Sequence, residues 1–390
     1  MLIKFNISNF RSFAREGNLN LITAPGYKSD LPEQIFSDGR RELLNTCVVY
    51  GPNSAGKSNL FLAMDLMKHF VLNSQTFRPG EELHFEPFLF NKDKEKEPTA
   101  LEILISLEGI LYRYGFAYNE KEIVSEWLYQ SIKKYEVELF YRDYQTIESH
   151  PKSFNESKEN LKDQTKKNTL HLSILAANNG KLSTKIVNWF NNCNVVLGTQ
   201  HEKYKEVTIN LLKSKQHYDK ILELFKKSDL FIEDIIFEEG IVKTIHNIYN
   251  SKKEIVGTKK IDLIAKESKG TNKLFDLAGP IVDSLLNGKI LWIDEMDSSL
   301  HTFQTQSILH LFHQKKTNPK NAQLILNTHD TNLLNQSIFR RDQIWFVEKE
   351  YDENTKLYSL LDYKPEIRND AALEKRYLEG SFGAIPYLKG

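Results

Sequence analysis

Only two cysteines, Cys47 and Cys193, occur in 390 residues. That is too few for a disulfide framework, and neither sits in a Cys-x-x-Cys or Cys/His spacing that would hold zinc, so a reducing compartment is expected. Charge of one sign is also missing. The 52 Lys and Arg are balanced by 52 Asp and Glu, so no global field draws the chain to nucleic acid, although a local basic groove stays compatible with that balance. Long apolar runs are absent too, none approaching the roughly 18 residues of a membrane span. The start, Met1-Leu2-Ile3-Lys4-Phe5-Asn6-Ile7, alternates like a strand and lacks the apolar stretch of a signal peptide. A cytoplasmic protein with no membrane partner is the expectation. Internal repeats and sustained heptads are missing, which argues against a long coiled-coil arm.

What is present suits one large α/β core with an added lobe. Two short strands are expected before residue 25, and Thr46-Cys47-Val48-Val49-Tyr50 reads as a buried central strand. Leu60, Phe61, Met64, Met67 and Val71 then fall on one face of a helix. Strands return from Phe85 to about Trp127, with the charged loop Asn91 to Glu97 between two of them. Residues 150–254 read as a mainly helical lobe, exposed and polar near 151–168. From 255 the strand candidates Lys289 to Ile293, Gln323 to Asn327 and Gln343 to Val347 alternate with helical segments. This pattern predicts an α/β fold with a mostly parallel sheet, an antiparallel β portion and an inserted helical lobe. The expected division is 1–149 and 255–390 as two parts of one head, with 150–254 inserted between them.

Gly51-Pro52-Asn53-Ser54-Ala55-Gly56-Lys57-Ser58 satisfies G-x-x-x-x-G-K-[ST] between an apolar strand and a helix beginning near Asn59, the context a phosphate loop requires. Its backbone N–H groups and the helix N-terminus would cradle phosphates. Lys57 would neutralise the β/γ oxygens of ATP and the Ser58 hydroxyl would hold Mg²⁺. Ile290-Leu291-Trp292-Ile293-Asp294-Glu295 is an apolar strand ending in two carboxylates, where a parallel sheet binds ligands. Asp294 would support Mg²⁺ and Glu295 would polarise the attacking water.

Together these residues resemble the ABC-type ATPase heads related to RecF, SMC proteins, and the OLD-family and abortive-infection ATPases. Gly51 to Asn59 is similar to their phosphate loop, and Asn9-Phe10-Arg11-Ser12-Phe13 resembles the N-terminal turn that lies beside the nucleotide. Asp294 to His301 resembles the combined Walker B and D-loop segment, and Thr328-His329-Asp330 the switch-histidine segment. Glu267-Ser268-Lys269-Gly270-Thr271 resembles a short form of the signature motif. The resemblance implies a P-loop NTPase fold of ABC type and a head-to-tail homodimer in which Ser268 and Gly270 meet the γ-phosphate of the partner subunit's ATP. It also implies catalytic roles for Lys57, Glu295 and His329, and nucleotide contacts from Arg11, Ser12 and residues 51 to 59. One departure is the lack of a glutamine between Phe85 and Leu101, where the family carries its Q-loop; Asn91 is the candidate substitute.

The segment Tyr377 to Pro386 resembles the C-terminus of a bacterial abortive-infection subgroup and carries no assigned chemistry. About 60 residues follow His329, short of the roughly 100 that a nuclease domain needs, so a nuclease or other effector is expected as a separate partner. Three functions are compatible: a phage-defence ATPase gating such an effector, a RecF-like ATPase with DNA as partner, and a regulatory module that holds ATP without turning it over. Glu295 weighs against the last.

Overall fold

The computed structural model describes residues 1–27, 31–132, 135–150, 152–198, 201–228, 231–363 and 372–386. Its centre is a six-stranded sheet built from β1 (Thr46–Tyr50), β2 (Cys193–Val196), β3 (Ile290–Ile293), β4 (Gln323–Asn327), β5 (Ile344–Lys349) and β6 (Thr355–Ser359). The spatial order is β2-β3-β4-β1-β5-β6. Every pairing is parallel except β5 with β6. Alternate residues serve the two faces: Cys47, Val49 and Trp292 join one buried cluster, while Val48, Tyr50, Leu291 and Ile293 join another. Burial on both faces is why these strands read as unbroken apolar runs.

Helix α1 (Lys57–Asn73) belongs to the first cluster together with a seven-stranded antiparallel sheet. That sheet runs Thr146–Ser149, Tyr135–Asp143, Ile123–Ile132, Ile110–Tyr118, Thr99–Leu107, Leu2–Ser8 and Gly17–Asn20, and it is the antiparallel portion expected. Helices α2 (Lys269–Asn287) and α3 (Thr302–His313) contribute to the second cluster. Trp292 ties the layers together: its ring lies edge-on to Phe5 of the antiparallel sheet at 5.7 Å and to Phe61 of α1 at 5.4 Å.

The segment 150–254 carries strands beside the helices expected there. It contains helices Glu159–Asp163, His171–Ala177, Lys181–Asn191, His201–Leu212 and Lys215–Lys227, but it also contains β2, which pairs with β3 in the central sheet. Four residues, Cys-Asn-Val-Val, are too short to display a period. Further on, Asp234–Glu238, Ile241–Tyr249 and Ile255–Asp262 form a three-stranded antiparallel sheet. Much of that sheet is exposed on both faces, which dilutes the alternation that reveals a strand. The stretch 152–168 is not uniformly exposed either, since Phe154, Leu161 and Asn168 are buried. The Asn168 amide donates to the carbonyls of Arg78 and Glu81 at 2.8 and 3.0 Å, so polar composition there serves internal hydrogen bonds.

Replacing Trp292 by Ala removes the side chain shared by three layers. A loss of about 3–5 kcal/mol of stability is expected, read as a lower urea midpoint; an unchanged midpoint would remove Trp292 from this role.

Candidate functional site

Strand β1 ends at Tyr50, the loop 51–56 turns, and α1 starts at Lys57. Gly56 stands at φ 105°, in the left-handed region, and a methyl group there would collide with the hydroxyls of Ser12 and Thr355. A methyl at Gly51 would collide with the Val347 carbonyl oxygen on β5. Both glycines are therefore required by close approach, and Gly56 also by its backbone angle. Thr355 braces the loop: its hydroxyl lies 2.7 Å from both the Ala55 carbonyl oxygen and Ser12 Oγ. The Asn59 amide donates to Ser12 Oγ at 2.7 Å.

Lys57 curls back over the loop, its Nζ donating to the carbonyls of Gly51 at 2.8 Å and Pro52 at 3.0 Å. Burial depresses its pKa to about 8, against the opposing pull of Asp294, Asp297 and Glu295. The Ser58 hydroxyl donates to Asp294 Oδ1 at 3.0 Å. The side-chain amide of Asn327, at the end of β4, also donates to Asp294 Oδ1, and Asn327 Oδ1 accepts from the Glu295 backbone N–H at 2.7 Å. Glu295 sits at φ 55°, a strained angle for a side-chain-bearing residue. The Asp297 carboxylate accepts from the His329 backbone N–H at 3.2 Å. Burial, then the Lys57 ammonium, holds the His329 imidazole below its usual range.

Asn53, Ser54, Gly56, Lys57, Ser58, Asn59, Glu295 and His329 line one cavity of about 160 Å³. A larger groove of about 290 Å³, lined by leucines of α2, α3 and Lys215–Lys227 and by lysines of Lys215–Lys227 and of the segment 316–320, contains none of these residues. Among the described residues no cluster of His, Cys, Asp or Glu would hold a metal unaided. A hydroxyl and a carboxylate oxygen 3.0 Å apart nonetheless suit Mg²⁺, which binds through few protein ligands and completes its shell with water and substrate phosphate. The residues fit the cation.

Other expected positions lie elsewhere. The Arg11 guanidinium pairs with Glu86 at 2.7 Å and faces the Phe10 ring, and Arg11 is not among the residues that line the cavity. Ser12 supports the loop from behind. Ser268 caps α2 by accepting from the Thr271 N–H at 3.1 Å, and a methyl at Gly270 would stand 2.8 Å from the Ser299 carbonyl oxygen; neither lines the cavity. Asn91 is used in its own turn, accepting from the Asp93 N–H at 2.9 Å, and does not line the cavity. Thr355 and Asn327 were not anticipated as site residues. Only the strand-end position of Asn327 was visible in the sequence; nothing local marks Thr355.

A family model described as "AAA domain, putative AbiEii toxin, Type IV TA system" matches residues 47–335. Comparison with curated proteins finds no significant match. Among solved structures, an SMC head bound to the C-terminal winged-helix domain of ScpA is 14% identical, with 92% of this chain and 97% of that one covered and a TM-score of 0.46. The SMC head domain from Thermotoga maritima is 13% identical over 92% and 98% of the chains, with a TM-score of 0.45. A Pyrococcus furiosus SMC head bound to the C-terminal domain of ScpA is 14% identical over 92% and 96%, with a TM-score of 0.41.

Because Lys57 titrates near 8 in the free protein, its positive charge is complete below that pH and lost above it. Affinity for ATP is expected to be flat up to about pH 7 and to fall above pH 8 toward about tenfold per unit, measured by calorimetric titration. Lys57→Arg, whose charge persists, should flatten the profile; a wild-type profile level through pH 9.5 would refute the assignment.

Proposed function

The chain belongs to this AAA-domain family of P-loop ATPases, and from that premise we propose that it binds ATP with Mg²⁺ and hydrolyses it. The observation that carries the reading is the meeting of Ser58 and Asp294 beneath the loop at 3.0 Å, with Glu295 and His329 lining the same cavity. The loop N–H groups and Lys57 bind the phosphates, and Ser58 with Asp294 holds Mg²⁺ and its water. The cation, when bound, neutralises charge that builds on the phosphate oxygens. Glu295 takes a proton from the attacking water as the bond to the γ-phosphorus forms, and ADP leaves. His329, kept neutral, is a hydrogen-bonding group beside the γ-phosphate.

Ser268 is exposed at the start of the 19-residue helix α2 and lies outside the cavity. A signature segment positioned this way supports a homodimer in which Ser268 and Gly270 of one subunit close the site of the other. In this reading the head combines 1–149 with 255–390, and 150–254 is an insertion that lends β2 to the central sheet. The family description, with its toxin and toxin–antitoxin vocabulary, supports a role in phage defence in which ATP-driven dimerisation gates a separate effector or nuclease.

Glu295→Gln should keep Mg-ATP binding, lose about 10²–10⁴-fold in turnover and accumulate as an ATP-dependent dimer on size exclusion, while Lys57→Ala should bind no nucleotide. Wild-type turnover in Glu295→Gln would overturn the assignment of the base. For the defence role, cells protected from phage by this chain with its genomic neighbour should become sensitive when Lys57→Ala is introduced.

A further inference from the structure

Lys273 on α2 is buried, with 5% of its surface exposed, and its Nζ meets no hydrogen-bond acceptor among the described residues. An ammonium in that state costs stability, because its lost hydration is not replaced. A residue that breaks this rule inside an otherwise satisfied helix face marks a place where function competes with stability.

Its position says which function. Lys273 follows Gly270 by three residues, so the two share a face of α2. That face packs on the acidic loop, as the close approach of Gly270 to the Ser299 carbonyl shows. Burial holds Lys273 below the usual lysine range, against the pull of Asp276 on its own helix and of Glu295, Asp294 and Asp297 on the loop. Lys205, on the helix His201–Leu212, faces Asp276, and Lys57 faces the same three loop carboxylates from α1. The Glu295 backbone, at φ 55°, is held by its N–H to Asn327 Oδ1 at 2.7 Å and by its carbonyl, which accepts from the Ser298 N–H at 3.1 Å; neither bond fixes the side chain, so the carboxylate gains from an electrostatic restraint.

We propose that Lys273 is a positioning residue for hydrolysis, its ammonium restraining the acidic loop so that Glu295 keeps its place in the nucleotide cavity. Lys273 does not line that cavity and acts through the loop. The proposal rests on the ATPase reading above. Because Ser268 and Gly270 open the same helix, it also links the segment assigned to the partner subunit's nucleotide with the acid of its own subunit.

The experiment compares full-length wild type, Lys273→Met and Lys273→Arg for Mg-ATP affinity, kcat, KM and thermal midpoint. Met matches the volume and removes the unpaired charge. The expected result is a midpoint that rises or holds, ATP affinity and KM near wild type, and a kcat lower by roughly tenfold to a hundredfold, the scale of a misplaced catalytic group. Arg, which keeps the charge, should recover most of the rate. Wild-type kcat in Lys273→Met would overturn the proposal, as would a rate loss that tracks a falling midpoint or weakened ATP binding. If wild type binds Mg-ATP and turns none over, the hydrolysis reading falls and this proposal with it, an outcome distinct from failure of Lys273 alone.

Discussion

The site depends on the register of three parallel strands. Trp292 pairs with Ile325 and Ile325 with Cys47; Ile293 pairs with Leu326 and Leu326 with Val48. One residue further, Asp294 and Asn327 come level, and the Asn327 amide bonds the carboxylate while its oxygen fixes the Glu295 N–H. That placement lets the Ser58 hydroxyl, 236 positions away in sequence, reach Asp294. A slip of one residue in either pairing would turn every side chain of the strand to the opposite face. Trp292 would then leave the cluster with Phe5 and Phe61, so the packing that stabilises the sheet also enforces the geometry of the acids.

A second restraint comes from both ends of the chain. Ser12, in the turn after the strand Leu2–Ser8, and Thr355, at the start of β6, meet at 2.7 Å outside the phosphate loop. The Thr355 backbone N–H donates to the Ser12 carbonyl at 2.7 Å, and the nearby Ala14 N–H donates to Asn354 Oδ1 at 2.8 Å. Their hydroxyls occupy the space a side chain at Gly56 would need. The loop is therefore shaped from outside, by residues distant in sequence, as well as by its own glycines.

This explains what could be read from the sequence alone. The phosphate loop was legible because its chemistry is local: two glycines, a lysine and a serine between a strand and a helix. The acidic pair was legible because a fully buried strand must end abruptly in its charges. Thr355 was not, since its role exists only after β6 folds beside β5 and meets the N-terminal turn. Strand β2 escaped notice because four residues in a polar, helix-rich stretch carry no period, although pairing with β3 gives it a place in the central sheet. The sheet over 234–262 escaped for the opposite reason, too little burial to impose alternation. The pairing of the Arg11 guanidinium with Glu86 was not readable either, because it joins residues 75 positions apart in the sequence.

Charge balance around the acidic loop completes the physical account. Asp294, Glu295 and Asp297 lie within four positions, and like charges this close splay a loop unless cations face them. Two buried lysines do so, Lys57 from α1 and Lys273 from α2. Their circumstances differ. Lys57 rests on the carbonyls of Gly51 and Pro52, and on the reading proposed above a triphosphate would compete for it. The Lys273 Nζ meets no hydrogen-bond acceptor among the described residues and faces Asp276 on its own helix as well as the three loop carboxylates; it does not line the nucleotide cavity. On that reading, a Lys57 drawn to phosphate would leave Lys273, outside the cavity, as the buried lysine still facing the loop carboxylates.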